Sequence, residues 1–212
     1  MTATSSSTAK PSETRVRLVE SAAELFSRQG FGATGIKAVL AAAAAPYGSL
    51  YHFFPGGKQE LGAAALTYGG ERYREVLESV YPPGSDVVEA TAASFVRAAE
   101  LLEETDYGYA CPIATIALEV ATSDELMRNS AADAFESWLA VLEQRFTDAG
   151  MSAERARDVA VETFCLIEGA VLLCRTTRSS DPMHTAGRAA ANAVAAGLAA
   201  GNGRKAKKTR GK

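Results

Sequence analysis

Ala45-Pro-Tyr-Gly-Ser-Leu-Tyr-His-Phe-Phe-Pro-Gly-Gly57, with Lys58 directly behind it, is the stretch whose reading decides the fold. Pro46 suits the first turn of a helix, where its missing N–H costs nothing. Leu50, Phe53 and Phe54 read as apolar anchors into a small core. Pro55-Gly56-Gly57 cannot continue a helix, so the element ends near Phe54 and Lys58 opens the next one. A short helix, set across another by a tight turn, is how a small domain offers side chains to the DNA major groove.

The pattern on either side is helical. Upstream, Leu18, Ala22, Leu25 and Phe26 share one face of a segment over 13–29, with Ser12 as its N-cap and Gly30 as its stop. Phe31-Gly32 is a bend. Thr34 is the next expected N-cap, opening a helix to Ala43 that buries Ile36, Val39 and Leu40, and the alanine run 41–45 lets two helices approach closely. Downstream, a long helix runs from Lys58 to about Ser79 and stops at Tyr81-Pro-Pro-Gly84. Further helices are expected over 86–105, 112–122, 124–148, 153–177 and 183–200, with Pro112 in a first turn and Ser123 as an N-cap ahead of Asp124 and Glu125. The sum is nine helices and no strand, an all-α chain. The expected divisions are a polar arm over 1–12, a helix-turn-helix head over 13–60, a body over 61–203 and a basic tail over 204–212.

Composition narrows the function. The chain has 212 residues, 47% of them hydrophobic and 22% charged, enough to bury a sizeable core. No apolar run is long enough for a membrane span, and the Ser/Thr-rich start has no apolar signal core, so a cytoplasmic protein is expected. Cys111, Cys165 and Cys174 have no metal-type spacing. The net charge of −3 hides a division: residues 1–60 carry six basic and four acidic side chains, 61–203 carry ten and twenty-one, and 204–212 carry six and none. DNA is electrostatically welcome only at the two ends. No triad, metal set, Gly-rich phosphate loop or paired-carboxylate motif is present, which sets aside an enzyme and leaves no cofactor expected.

Leu25-Phe26, Gly30-Phe31 and Ala33-Thr34, followed by Gly48-Ser-Leu-Tyr-His-Phe-Phe54 and Lys58, resemble the TetR family of transcriptional regulators over roughly 14–62. The turn Pro55-Gly-Gly-Lys58 and the stretch from Cys111-Pro112 to Ala117-Leu-Glu119 are similar to the LmrA/YxaF-like branch. The resemblance implies an all-α nine-helix fold, a homodimer built on the last two helices (here 153–200), and a palindromic double-stranded DNA operator. It also implies repression relieved by a small hydrophobic or aromatic effector bound in the body.

Residue by residue, the start of the recognition helix places Pro46, Tyr47, Gly48 and Ser49 at base edges. Tyr47 lacks the bidentate fork that reads guanine, so reading is expected to rely more on DNA shape, or on Lys37 of the preceding helix. Gly48 permits close backbone approach. Thr34 would set its hydroxyl and a helix N-terminus against a phosphate. Tyr51 and His52 resemble the family's phosphate-contacting pair, and Lys58 its phosphate anchor. Effector candidates in the body are Tyr68, Phe95, Tyr109, Cys111, Ile113, Ile116, Glu119, Trp138, Phe164 and Glu168, with Tyr107, Phe135 and Leu142 beside them. Glu119 and Glu168 stand out as carboxylates inside apolar runs, where a buried charge needs a partner. Cys111 reads as a buried thiol rather than a redox sensor. The basic tail is either a solvated end or a non-specific DNA attractor. A DNA-binding protein with a filled body and no ligand is the alternative reading.

Overall fold

In the computed structural model, the backbone is described for residues 11–108 and 111–209, and side chains for 13–108 and 111–201. Among these residues the chain forms nine helices and no strand: α1 (Pro11–Gln29), α2 (Ile36–Ala42), α3 (Ser49–Phe53), α4 (Gly57–Val80), α5 (Val87–Glu104), α6 (Ala114–Val120), α7 (Glu125–Asp148), α8 (Ala153–Thr177) and α9 (Asp181–Thr209).

Helices α5 and α8 follow the sequence signals closely. Ser152 caps α8, accepting the Arg155 N–H, and Asp86 caps α5, accepting from Val88 and Glu89. Other elements depart from expectation at their ends. Helix α1 already includes Pro11, so Ser12 lies inside its first turn rather than at the cap. Thr34 does not cap α2 either. Its hydroxyl donates to the Gly30 carbonyl at 2.7 Å, filling an acceptor left open by the end of α1, and Gly35 takes the cap position. Pro46 belongs to a turn closed by the Ser49 N–H on its carbonyl (2.9 Å), so the recognition helix starts three residues later than expected. Pro112 likewise sits in a turn before α6. Asp124, not Ser123, caps α7 by accepting the Met127 N–H at 2.9 Å. A carboxylate opposite the helix dipole outcompetes a neighbouring hydroxyl. Helix α9 continues to Thr209 and so takes in most of the segment expected as a tail.

Helix α4 organises the molecule. It packs on α1 in the head and on α7 in the body. Its approach to α7 is close because Gly70 has no side chain: a Cβ there would lie 2.7 Å from that of Ala134. The buried Trp138 indole N–H donates to the Gly70 carbonyl at 2.8 Å, locking the pair. One core cluster runs from Leu18, Phe26, Val39 and Leu50 in the head through Leu61 and Leu66 to Ile116 and Trp138. Two further clusters, around Phe146 and Val159 and around Phe95 and Cys174, hold α5, α7, α8 and α9 together.

Candidate nucleic-acid interface and effector cavity

Helix α3 has an inner and an outer side. Leu50 and the following Phe54 are buried, with Arg15 of α1 stacked over the Phe54 ring at 5.2 Å. Tyr47 and Tyr51 stand outward, 65% and 60% exposed, although large aromatic side chains are costly to leave in water. His52 is exposed, its ring edge-on to Phe53, and Pro46, Gly48 and Lys37 are also exposed, with Ser49 half-buried. A Cβ added at Gly48 would meet nothing within 4 Å, so the outer side is open at its centre. The turn that sets α3 across α2 passes through Ala44 at φ 47, and Arg17 of α1 closes the end of α2 by donating to the Ala43 carbonyl at 3.0 Å.

Two expected contacts point elsewhere. The Thr34 hydroxyl is buried and engaged inside the head, so it faces no phosphate. The Lys58 ammonium donates to the Phe31 carbonyl at 2.6 Å and lies over the Phe31 ring at 4.3 Å. Burial lowers its pKa from the ordinary lysine value, opposed by the Glu119 carboxylate. Glu119 in turn is not in the body's interior. It is exposed on α6 and accepts the backbone N–H groups of Phe31 (3.0 Å) and Gly32 (2.6 Å). Seven-residue α6 buries Ile116 and Val120 and turns its carboxylate onto the α1–α2 bend, where two N–H groups replace the buried partner expected from the sequence. Gly30 and Gly32 make room: a Cβ on either would collide with that carboxylate, at 2.4 and 3.1 Å.

The body contains a cavity of about 140 Å³ between α4, α5, α7 and α8. Tyr73, Val76, Leu77 and Val80 of α4 form one wall, and Phe95, Ala98 and Leu101 of α5 another. Leu142, Phe164, Ile167 and Val171 complete the apolar lining. The polar groups are Ser94, Arg97, Thr163, Cys111 and Glu168, together with the hydroxyls of Tyr73 and Tyr81, the latter donating to Thr91 at 3.1 Å. Arg97 is turned to the surface, on Glu100 (3.1 Å) and Glu104 (2.9 Å), and the Ser94 hydroxyl donates to the Thr91 carbonyl. Burial raises the Glu168 pKa above the ordinary glutamate value, offset by a hydrogen bond with Cys111. Burial, with the Glu168 charge adding to it, pushes the Cys111 thiol up as well. A thiol held protonated is a poor nucleophile.

This arrangement, an outward-facing short helix joined through one long helix to a cavity-bearing helical body, has relatives. Residues 18–65 match the model of the bacterial regulatory proteins of the TetR family, and residues 87–189 that of the LmrA/YxaF-like transcriptional regulator C-terminal domain. The HTH-type transcriptional regulator YxaF of Bacillus subtilis is 32% identical over 171 residues, covering 81% of this chain and 90% of its own. The chain belongs to the TetR family. The HTH-type regulator Rv0196 of Mycobacterium tuberculosis is 33% identical over 189 residues, 87% of this chain and 95% of that one. In fold, a TetR regulator from Rhodobacter sphaeroides superposes with a TM-score of 0.73 at 22% identity, over 85% of this chain and 98% of that one.

A TetR-family protein is a transcriptional regulator with a helix-turn-helix, not an enzyme, and α2 and α3 are that motif here. The sequence-derived effector candidates divide. Phe95, Cys111, Phe164 and Glu168 line the cavity, as does Leu142. Ile113, Ile116 and Trp138 are core residues, with Trp138 packed against Phe164 at 5.6 Å behind the cavity wall. Tyr68 is on the opposite side of α4, its hydroxyl 3.3 Å from Glu20 of α1, and Glu119 serves the head. Tyr107 lies in the loop after α5 under Arg178, and Tyr109 lies outside the described residues. The α4 wall and Thr163 were missed, because apolar and small polar positions on a helix carry no mark that separates cavity from core. Among the described residues no helix is long and apolar enough to cross a membrane.

Proposed function

We propose that this chain is a dimeric repressor that binds a palindromic operator through α3 and leaves it when a small hydrophobic or aromatic effector enters the body cavity. The observation that carries this reading is the double role of α4. Its C-terminal half walls the cavity through Tyr73, Val76, Leu77 and Val80, while its N-terminus follows α3 directly. A ligand that displaces this wall acts on the helix that aims the recognition element. If it binds the displaced state more tightly, release follows by linkage. Tyr47, Gly48 and Ser49 with Pro46 would meet base edges. Lys37, Tyr51 and His52 would meet the backbone or flanking bases, and Lys58 would contribute only after leaving Phe31. An exposed apolar stripe on α8 (Val161, Cys165, Gly169 and Leu172), with Leu173 beside it, favours pairing of two copies through 153–200.

The test is binding of the purified protein to DNA upstream of its own gene and its neighbours, at two salt concentrations, beside Tyr47→Ala. Tight, salt-sensitive binding to one palindrome, with Tyr47→Ala changing sequence preference, is the expected result. Weak binding to every fragment, indifferent to Tyr47→Ala, would remove the operator assignment. Binding that no aromatic compound reverses would favour the ligand-free alternative.

A further inference from the structure

The cavity's polar groups are asymmetric, and the asymmetry specifies charge. Its walls supply a carboxyl, Glu168, with the Cys111 thiol as its polar neighbour on the lining. They also supply the Thr163 hydroxyl, which is 4% exposed and has no hydrogen-bond partner in the protein. A carboxylate has about four lone-pair sites, and a thiol is a weak donor that can fill one at most. Arg97, the cation on the lining, is taken up by Glu100 and Glu104 at the surface. The wider field has the same sign: residues 61–203 carry ten basic and twenty-one acidic side chains. An anionic ligand would enter against both the local carboxylate and that field. A cation would be drawn in and would meet an underused acceptor.

Size is the second restriction. A cavity of ~150 Å³ holds one benzene ring, and this one is about 140 Å³ with aromatic wall from Tyr73 and Phe164. That limits the enclosed part of the ligand to a single ring, and the opening of the cavity to the surface leaves room for a short chain.

We propose that the effector is a monocyclic aromatic amine bound as its cation, with the ammonium on Glu168 and the ring among Phe164, Leu142 and Leu77. The ammonium's three N–H donors match the free carboxylate positions, and the ring replaces water against the apolar walls. Thr163 supplies a hydroxyl for a polar substituent on the ligand. This inference rests on the ligand-responsive reading above, but its binding step is measured without DNA.

The experiment is calorimetric titration of the full chain with three shape-matched probes: 2-phenylethylamine, neutral 2-phenylethanol and anionic phenylacetate. Each is repeated on Glu168→Gln, which keeps shape and hydrogen-bonding capacity but removes the charge. The amine should bind about tenfold more tightly than the alcohol, the worth of one charge-assisted contact partly offset by desolvation. Phenylacetate should bind weakest. Glu168→Gln should bring amine and alcohol within about twofold of each other. Unchanged alcohol binding by that variant shows the cavity intact. If the alcohol or phenylacetate matches the amine on the wild-type protein, or if Glu168→Gln keeps the amine preference, the assignment is overturned. Operator release is then scored separately. Release by the alcohol but not the amine overturns the cationic class and leaves the repressor reading standing. Tight amine binding with no effect on operator affinity supports the site and removes the repressor coupling.

Discussion

Gly48 isolates DNA contact from folding. Its φ of −67° and ψ of −15° are ordinary right-handed values, and a methyl there meets nothing. Gly48→Ala should therefore leave thermal stability unchanged or raise it slightly, by about 0.4–1 kcal/mol through the unfolded chain. With the α3 contact proposed above, operator affinity should fall, because the methyl would stand between the α3 backbone and the DNA. A variant that binds operator normally would place the contact away from the start of α3. Glu168 sets a second expectation, in pH. Burial raises its folded pKa, so the protonated form is the one the fold prefers. Below the unfolded value of ~4.3 the group is neutral in both states and carries no penalty. As pH rises through the folded value, the native protein must ionise a group that burial disfavours, and stability is lost. Among the facing ionisable groups, Cys111 and Tyr81 are held protonated by burial, and the charge of Arg97 is constant over this range. The melting temperature of wild type minus that of Glu168→Gln should fall across this window. A flat difference would mean that Glu168 is solvated.

At the scale of elements, α6 is the piece that ties body to head. Glu119 bonds the α1–α2 bend across 87 and 88 residues of chain. Glu119→Ala removes two acceptor contacts to backbone N–H groups that remain partly solvated, a cost of about 1–2 kcal/mol. Coupling is the sharper readout: the variant should bind effector with unchanged Kd while the effector shifts operator affinity less. Undiminished coupling would leave α4 as the sole connection. Glu119 also shows where reading a sequence stops. A glutamate between Leu118 and Val120 looks buried, because the pattern reports apolar neighbours and not which way a two-turn helix faces. The long helices were legible because caps and breaks such as Ser152 and Gly150 are local signals, and α7 and α8 match their expected spans within a residue. The start of α3 was not, since Pro46 fits a turn and a first helical turn equally well. Thr34 was misplaced because a capping hydroxyl and one that closes the preceding helix have the same sequence signature. The outward side of α3 and the Glu168 carboxyl were readable from residue type and spacing. The α4 wall became visible only once α4, α5 and α8 were packed together.

For the whole molecule, the geometry of one chain leaves an apolar face that folding does not consume. Leu172 and Leu173 are 67% and 54% exposed on α8, and Val161 stands one and two helical turns from Cys165 and Gly169 on the same stripe. A Cβ at Gly169 would meet nothing within 4 Å, so nothing within the chain packs on the stripe there. A two-fold interface repeats each residue's contact, so one substitution acts twice. Leu172→Glu sets two carboxylates into a shared apolar seam. In the dimer proposed above, it should leave a monomer at micromolar concentration with the helical content and the melting of each protomer close to wild type. Operator affinity should drop far more than any single-residue contact explains. Two heads spanning successive major grooves, ~34–36 Å apart, bind as one unit only while joined. Amine binding is not the control for this variant, because Leu172 stands one helical turn from Glu168 on α8 and a carboxylate there adds to the charge beside the cavity. Sedimentation of the variant decides the matter: an unaltered dimer would mean that the copies meet through another face, and that the spacing of the recognition helices is set elsewhere.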